Sequence, residues 1–182
     1  MKATGIVRRI DDLGRVVIPK EIRRTMRIRE GDPLEIYTDR EGEVIFKKYS
    51  PIGELNNFAS QYAETLYKTC DLSVVICDRD SVIACAGVPK RDFQDKRISK
   101  EAESIMEGRS MYRAGGIEPF YVTGNESDEY TVACMMPILA EGDVIGCVAS
   151  LLPASGGRQT PTEIECKLVE SAAGFLGRQL EP

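Results

Sequence analysis

The sequence predicts an α+β protein in two parts: a small amino-terminal β unit, then a larger antiparallel sheet with packed helices. Short β-branched runs separated by turn residues fill the first fifty positions, and two long apolar runs lie on either side of one turn between 130 and 152. Helical apolar periodicity occurs before and after those runs. The 182 residues are 42% hydrophobic and 29% charged, which gives room for one ordinary folded domain and a small one.

Two hairpins are predicted in the first unit. Residues 6–10 and 15–18 are β-branched runs, and the acids and glycine of residues 11–14 between them predict a turn. A second hairpin is expected from residues 34–37 and 44–46, which lie on either side of a segment containing Asp, Glu and Gly.

A short helix is predicted over residues 20–27, with Pro19 at its first position and Ile22 and Met26 spaced as neighbours on one face. Neither hairpin alternates cleanly between apolar and polar residues, so both strand faces need covering. A unit of about 50 residues buries too little surface to do this alone. We therefore expect it to fold as an intertwined dimer, with two copies of each basic residue on one surface.

The boundary between the two domains, 1–50 and 51–182, is expected at Ser50-Pro51, with the serine as a helix cap and the proline at the first helical position. A helix over 51–69 then carries a wide apolar stripe. The stripe consists of Leu55, Phe58, Ala59, Tyr62, Ala63 and Leu66.

Paired strands are predicted at 73–77 and 82–86, followed by a helix over 89–108 whose inward residues are Ile98, Ala102, Ile105 and Met106. Residues 121–129 are polar and are expected to form a loop or a short strand with a turn.

The most apolar segments, 130–139 and 144–152, are expected to form a central hairpin around residues 140–143. Thr160-Pro-Thr-Glu163 has the pattern of a capping box and opens a predicted last helix, 160–180. In that helix Ile164, Leu168, Ala172 and Leu176 repeat every four residues. This element order predicts helices packed on a central sheet.

Basic residues are concentrated at the amino terminus. Residues 1–29 hold nine Lys and Arg against three acids, a net charge of +6, which leaves −11 on the rest of a chain whose total is −5. Arg outnumbers Lys seven to two there, and Arg suits bidentate contacts with phosphates and base edges. A surface that binds DNA is therefore favoured over the alternative, a solvated charged face.

The composition disfavours several other classes of protein. The chain has six Cys but no C-x-x-C pair and no His, so zinc-finger spacings and His-dependent hydrolysis are not expected. No cofactor or metal is expected. The cysteines lie mostly in apolar, strand-like contexts and are interpreted as reduced core thiols. No signal peptide or membrane-length apolar run is found, which predicts a cytoplasmic protein.

The first fifty residues closely resemble the AbrB family of transition-state regulators. The resemblance rests on four blocks: Thr4-Gly-Ile-Val-Arg-Arg-Ile10, Leu13-Gly-Arg-Val-Val-Ile-Pro19, Glu21-Ile-Arg-Arg-Thr25 and Leu34-Glu-Ile-Tyr37. Beyond them the chain is similar to sporulation regulators of that family in element order and in sparser residues. These are Ile76-Cys-Asp-Arg-Asp80, Glu141-Gly-Asp-Val-Ile-Gly146 and Ala172-Ala-Gly-Phe175.

The resemblance implies a swapped-hairpin β-barrel formed by two interlocked protomers, followed by a sensory domain of the GAF type. It implies double-stranded DNA as the partner and a role in regulating transcription, by activation or by repression. Arg8, Arg15, Arg23 and Arg24 match the family's DNA-contacting positions, and Arg9 matches a basic position. Lys20 is added from helical spacing alone, because it lies beside the Arg23 and Arg24 face.

Helix-turn-helix geometry is not evident, so we expect specificity from phosphate geometry and deformable A·T-rich DNA more than from many base contacts. The alternative is a purely structural role, in which Arg8 and Arg15 cover the barrel with the aliphatic parts of their side chains.

In the second domain, a GAF-like pocket for a small molecule is expected around residues 87–125. Its polar or aromatic rim candidates are Asp78, Asp80, Tyr112, Arg113 and Tyr121, which turns and strand ends explain equally well.

The helices 51–69 and 160–180 could pack within the domain, or pair across protomers and join two dimers as a tetramer, as the resemblance suggests. Ala172, Ala173, Gly174 and Gly177 would permit close helix approach.

Two further functional hypotheses remain at this stage. An antitoxin-like module would neutralise a toxin through an extended tail, but the chain continues into a patterned, capped domain instead of a polar tail. A GAF-fold redox enzyme would use partly exposed thiols of lowered pKa.

Overall fold

The structure is a computed structural model that describes residues 5–52, 56–115, 119–124, 129–155 and 160–180. The chain divides into two compact units, Met1–Tyr49 and Ser50–Pro182. Within the described residues, none of the helices is both long and apolar enough to span a membrane.

The first unit contains one helix and one hairpin. Helix α1 spans Lys20–Met26, and strands β1, Leu34–Thr38, and β2, Val44–Lys48, pair antiparallel from Leu34↔Lys48 to Thr38↔Val44. Asp39 closes the hairpin turn, because its Oδ1 accepts hydrogen bonds from the backbone N–H groups of Glu41 (3.0 Å) and Glu43 (2.8 Å). The predicted helix and second hairpin are therefore present.

The predicted first hairpin is only partly formed. Residues 11–14 make the expected turn, but residues 6–10 and 15–18 have no strand partner in the described part of the chain. Strand pairing needs a neighbour for the backbone N–H and C=O groups, and among the described residues the two segments bond to each other only at the turn, from Asp11 N to Arg15 O (3.0 Å). The prediction of two paired strands in one protomer was therefore wrong.

The ends of α1 also differ from the prediction. Pro19 is the residue that precedes the helix instead of its first helical residue, and Arg27 lies beyond the helix in the left-handed conformation, with φ 52°. The N–H of Ile28 then bonds to the C=O of Arg23 at 2.8 Å, which satisfies one of the carbonyls left open at the helix end.

The second unit is a five-stranded antiparallel sheet with helices on both faces. Its strands are β3 (Val74–Asp78), β4 (Val82–Ala86), β5 (Tyr112–Arg113), β6 (Tyr130–Ala140) and β7 (Asp143–Pro153), in the spatial order β4-β3-β7-β6-β5. Its helices are α2 (Asn56–Cys70), α3 (Lys90–Phe93), α4 (Lys100–Glu107) and α5 (Glu163–Arg178). The predicted strand pairs at 73–77 and 82–86, and at 130–139 and 144–152, are confirmed within one or two residues.

Each face of the sheet has its own apolar core. Alternate residues of β3 point to opposite faces, so Val74 and Ile76 pack with α2 and α5 while Val75 and Cys77 pack with α3 and α4. The larger cluster receives Ala59, Ala63 and Leu66 from α2 and Cys166, Val169, Ala172, Ala173 and Leu176 from α5. Both clusters are continuous within their face, which explains why the central strands are apolar at nearly every position.

The tight turn between β6 and β7 needs left-handed backbone at both central residues. Glu141 has φ 51° and Gly142 has φ 86°, the pattern of a two-residue turn whose twist matches that of the strands. Glycine adopts this conformation without steric cost, while the glutamate is held in it by the pairing of Ala140 with Asp143.

The predicted helix 89–108 is broken into α3 and α4. Between them the chain is extended and makes two isolated antiparallel bridges, Ser81↔Arg97 and Ile98↔Thr123. Ser99 then caps α4 by accepting a hydrogen bond from the N–H of Ala102 at 3.2 Å. Sheet-like bonding to distant residues thus replaces helical bonding across the middle of the segment.

The two long helices begin later than predicted. Residues 51 and 52 form a 3₁₀ turn, so Ser50 and Pro51 do not open the helix, and Leu55 lies outside the described residues. In α5 the capping box uses Thr162 and Glu165 instead of Thr160 and Glu163. Both pairs share the same spacing, and only the second places the cap directly before the first helical residue.

Most of the small residues of α5 pack within the unit. Ala172, Ala173 and Gly177 are buried, and a Cβ on Gly177 would lie 2.1 Å from the backbone oxygen of Leu139 in β6. Gly174 is exposed, and a Cβ there would meet nothing within 4 Å. Glycine is therefore required at 177 by the close approach of helix and strand.

We expect Gly177→Ala to lower the free energy of unfolding by about 1–3 kcal/mol, because backbone must shift to admit the methyl group. Gly174→Ala is the matched control in the same helix, and it should raise stability by about 0.5–1 kcal/mol through helix propensity. Urea denaturation followed by circular dichroism measures both. Equal effects of the two substitutions would contradict the close packing of α5 on Leu139.

Candidate nucleic-acid interface

A closed turn links the two extended segments of the first unit. Asp11 Oδ1 accepts hydrogen bonds from the backbone N–H groups of Leu13 (3.1 Å) and Arg15 (2.7 Å), and the N–H of Gly14 donates to the Asp11 carbonyl at 3.0 Å. Gly14 adopts φ 75°, in the left-handed region that favours glycine. The sequence Asp-x-x-Gly therefore determines the turn geometry directly.

The same aspartate holds the side chain of Arg15. The second carboxylate oxygen, Oδ2, lies 2.8 Å from Arg15 Nε, and the arginine side chain remains 70% exposed. The backbone N–H and the guanidinium of Arg15 together lower the pKa of Asp11 below its ordinary value. The Arg15 side chain is therefore exposed to solvent while its Nε is hydrogen-bonded to Asp11.

Helix α1 carries three of the predicted basic residues. Lys20, Arg23 and Arg24 are all exposed, and no residue of the helix is buried in the described chain. The Thr25 hydroxyl bonds back to the Glu21 carbonyl at 2.9 Å, which is local to the helix. Arg23 and Arg24 are therefore not buried in a way that would give them a role in the packing of this unit.

The remaining predicted residues, Arg8 and Arg9, lie exposed in the extended segment before the turn. The six candidates thus occupy three places in the unit: the extended segment, the turn and helix α1. The alternative role of Arg8 and Arg15 was to cover apolar side chains with their aliphatic stems. Within one protomer the apolar side chains beside them are also exposed, so the arginines do not bury them there.

Large apolar side chains are exposed throughout the described part of the first unit. Val7 is 89% exposed, and both Ile10 and Val17 are 71% exposed. The others are Ile6, Leu13, Val16, Met26, Ile36, Tyr37, Val44 and Phe46. So many exposed apolar side chains in so short a segment form a larger apolar surface than a folded monomer normally leaves in water.

The rim candidates of the second unit lie in different places. Asp78 is a turn residue, because its Oδ1 accepts from the N–H groups of Asp80 (2.8 Å) and Ser81 (2.7 Å). Arg113 pairs with Glu163 of α5 at 2.8 Å. Tyr112 packs edge-on against Phe120, at 4.9 Å between ring centroids, in the core on the side of α3 and α4.

Tyr112 and Tyr121 are half-buried, and burial raises the pKa of the Tyr112 hydroxyl. Of the rim candidates, Tyr112 has a side chain that packs against the core on the side of α3 and α4, while the Arg113 guanidinium is directed to α5.

The six cysteines are free thiols, five of them buried and Cys70 half-buried. A hydrogen bond with Cys147 and complete burial raise the pKa of Cys77 well above its ordinary value, and burial raises the pKa of Cys134 to about 12. Burial also raises the pKa of Cys85. These thiols lack the lowered pKa and exposure that redox chemistry requires.

The contact between the Asp11 carboxylate and the Arg15 side chain was not predicted from the sequence, where Asp11 was interpreted as a turn residue alone. Asp11 and Arg15 are nevertheless opposite charges four positions apart with a glycine between them. That spacing across an Asp-x-x-Gly turn was the available signal, because the turn returns the chain to the aspartate.

The family comparisons cover both units. A family model described as stage V sporulation protein T C-terminal, transcription factor, matches residues 54–181, and one described as antidote-toxin recognition MazE, bacterial antitoxin, matches residues 7–53. Stage V sporulation protein T of Bacillus subtilis (strain 168) is 54% identical over 181 residues, which is 100% of this chain and 99% of that protein. The transition state regulatory protein AbrB of the same organism is 65% identical over 51 residues, 28% of this chain and 52% of that protein.

Solved structures match the second unit. A methyl-accepting chemotaxis protein segment, residues 122 to 287, has a TM-score of 0.54 at 16% identity over 69% of this chain and 88% of the other. The GAF domain/HD domain protein from Geobacter sulfurreducens has a TM-score of 0.50 at 13% identity over 69% of this chain and 91% of the other. At such identities the likeness establishes the fold alone.

These matches define a transcription regulator with an AbrB-like first domain and a GAF-like second domain. The relative that matches over the full chain is a transcription factor and not an enzyme, which agrees with the absence of a hydrolytic motif in the sequence. The chain belongs to the stage V sporulation protein T family, whose name places it among regulators of sporulation. The antitoxin hypothesis also required an extended tail, and residues 50–182 instead form a compact unit.

The thiols should react in a fixed order. Cys70 is the half-buried cysteine, so iodoacetamide added to the native protein at mildly alkaline pH should label it first. Cys77 and Cys134 should react only after denaturation, because their raised pKa values keep them protonated and burial blocks access. Mass spectrometry of timed samples measures this, with Cys70→Ser removing the fast phase. Fast native labelling of Cys134 would restore the redox hypothesis.

Proposed function

We propose that residues 1–50 bind double-stranded DNA as an intertwined dimer and that residues 51–182 form a sensory and oligomerisation domain. The observation that carries the proposal is the combination, in one small unit, of exposed arginines with an uncovered apolar surface. A phosphate-binding face requires exposed arginines, and a partner protomer would bury the apolar surface.

The dimer is supported by segments 6–10 and 15–18, which have no strand partner among the residues that the structure describes. Their backbone groups pair with each other only at the Asp11 turn among the described residues, and their apolar side chains are exposed. The same segments of a second copy would supply strand partners for the backbone groups and an apolar surface to bury the side chains. Two copies also double the net charge of residues 1–29 from +6 to +12.

The DNA-contacting residues in this proposal are Arg8, Arg9, Arg15, Lys20, Arg23 and Arg24. All six are exposed cations in a segment of net charge +6 on a chain whose net charge is −5, so attraction to phosphates is strongest there. A basic surface of this kind recognises phosphate spacing and duplex shape, which suits deformable A·T-rich sites.

Oligomerisation through α2 and α5 is supported by an aromatic cluster at their surface. Phe175 lies 5.7 Å from Phe58 and 5.5 Å from Tyr62 between ring centroids, yet remains 40% exposed. Ile164, the first residue of the four-residue repeat noted in the sequence, is 73% exposed on the same side of α5 by helical spacing. These residues would pair across protomers and join two dimers into a tetramer.

The opposite face of the sheet is the place for a small-molecule ligand, with α3, α4 and residues 119–124 as its cover. Tyr112 and Phe120 lie at that cover, and a ligand held there could bias DNA affinity or oligomer geometry. The protein would act in the cytoplasm, where DNA and such ligands meet.

We expect Arg23→Ala to weaken binding to every duplex, and to reduce the slope of log affinity against log salt by about 0.9 if the side chain neutralises one phosphate. The matched control is Arg40→Ala, which removes the same charge from the turn of the second hairpin and should leave the slope unchanged. Fluorescence anisotropy across a salt series measures both. An unchanged slope for Arg23→Ala would remove that residue from the proposed interface.

We expect Phe175→Ala to shift the assembly from tetramer to dimer, because it removes the exposed aromatic ring while leaving the buried residues of α5 in place. Glu170→Ala, an exposed change on the same helix, is the control and should leave the mass unchanged. Sedimentation equilibrium measures the mass. A tetramer that survives Phe175→Ala and Ile164→Asp together would place the interface between dimers elsewhere.

A further inference from the structure

We propose that Asp11 is a positioning residue for DNA binding, because its carboxylate holds the guanidinium of Arg15 in the orientation that contacts phosphate. The inference rests on the proposed function of residues 1–50. It concerns an acid within a basic surface, where electrostatics alone would disfavour a negative charge.

The two oxygens of Asp11 have separate roles. Oδ1 accepts the backbone N–H groups of Leu13 and Arg15 and closes the turn, while Oδ2 accepts from Arg15 Nε at 2.8 Å. Binding through Nε leaves the two terminal amino groups of the guanidinium without a hydrogen bond to Asp11. Those two groups form the fork that binds a phosphate bidentately.

The second hairpin contains the same turn with a glutamate in place of the paired arginine. Asp39 makes the same side-chain bonds, because its Oδ1 accepts from residues two and four positions later, and its own N–H bonds to the Glu43 carbonyl at 3.2 Å, as the N–H of Asp11 bonds to the Arg15 carbonyl. Gly42 has φ 84°, as Gly14 has φ 75°. Residue i+4 is Glu43 in one turn and Arg15 in the other, so the turn itself does not require a cation at that position.

An exposed ion pair of this kind contributes little to folding. Its effect on binding is larger, because a long side chain that is already ordered loses less rotamer freedom when it meets phosphate. Ordering one such side chain corresponds to about 2- to 10-fold in affinity. In this proposal Asp11 therefore increases DNA affinity by orienting Arg15 more than its negative charge decreases that affinity.

The test compares Asp11→Asn with two matched variants, using an A·T-rich duplex and a G·C-rich duplex of equal length in anisotropy titrations. Asparagine keeps an oxygen for the turn but places an amide where Oδ2 accepted from Arg15. Asp12→Asn removes the same charge one position away, and Asp39→Asn makes the same change in the turn that has a glutamate at i+4. We expect Asp11→Asn to weaken binding about 3- to 10-fold, Asp12→Asn to strengthen it slightly, and Asp39→Asn to leave it within about 2-fold.

A double-mutant cycle separates positioning from folding. In an Arg15→Ala background, Asp11→Asn should lose its penalty and strengthen binding as Asp12→Asn does, since only its charge then matters. Asp11→Ser, whose hydroxyl still accepts from the Arg15 N–H, serves if Asp11→Asn lowers the folded fraction measured by circular dichroism. The inference is overturned if Asp11→Asn strengthens binding in the wild-type background, or if its penalty persists without Arg15.

Failure of the inference is distinct from failure of the proposed function. If the wild-type chain binds neither duplex, or Arg23→Ala and Arg15→Ala both leave affinity and salt slope unchanged, the DNA-binding proposal fails. If Arg15→Ala weakens binding while Asp11→Asn behaves as Asp12→Asn, DNA binding stands and positioning alone is excluded.

Discussion

The pairing of β6 with β7 is the interaction on which the second unit depends. The two strands run antiparallel from Tyr130↔Pro153 to Ala140↔Asp143 and are buried on both faces for most of their length. A ribbon that is apolar on both sides must be covered on both. This is why α2 and α5 lie on one face and α3 and α4 on the other. At the two edges of the ribbon, β3 and β5 pair with the backbone groups that are left open there.

The first unit faces the opposite problem, because its chain is too short to cover its own apolar side chains. More than two thirds of the surface of Val7, Ile10 and Val17 is exposed. The segments that carry these residues have no strand partner among the described residues. In the proposed dimer, folding of this unit and formation of the DNA surface are one event. DNA affinity would then depend on protomer concentration, since the monomer has neither a covered core nor a doubled basic face.

Local chemistry accounts for what the sequence could predict. The β1–β2 and β6–β7 hairpins follow from turn residues with β-branched runs on either side, and those signals lie within a few positions of each other. The break between α3 and α4 could not be found this way, because the competing bonds come from Ser81 and Thr123, far away in sequence. The choice of Thr162 over Thr160 as the cap was equally hidden, since each has a glutamate three residues later.

The predicted site shows the same limit. Composition places the cations and the family resemblance selects Arg8, Arg15, Arg23 and Arg24, but neither says how a side chain is held. The support for Arg15 becomes visible only once the turn brings residue 15 back to residue 11. Opposite charges four positions apart on a helix suggest such a pair at once, whereas across a turn the same spacing is informative only when the turn type, here Asp-x-x-Gly, is known to return the chain to the aspartate.

The two Asp-x-x-Gly turns show how one backbone device can serve two purposes. Asp11 and Asp39 close their turns with the same side-chain hydrogen bonds to the backbone, and each turn has a glycine of positive φ three residues later, so the conformation is set by aspartate and glycine in both. What differs is the residue at i+4, where the side chain emerges next to the carboxylate. A glutamate there leaves the turn purely structural. An arginine there is held by the acid that shaped the turn, so in the proposed DNA-binding mode the backbone geometry and the orientation of a phosphate contact are fixed by one side chain.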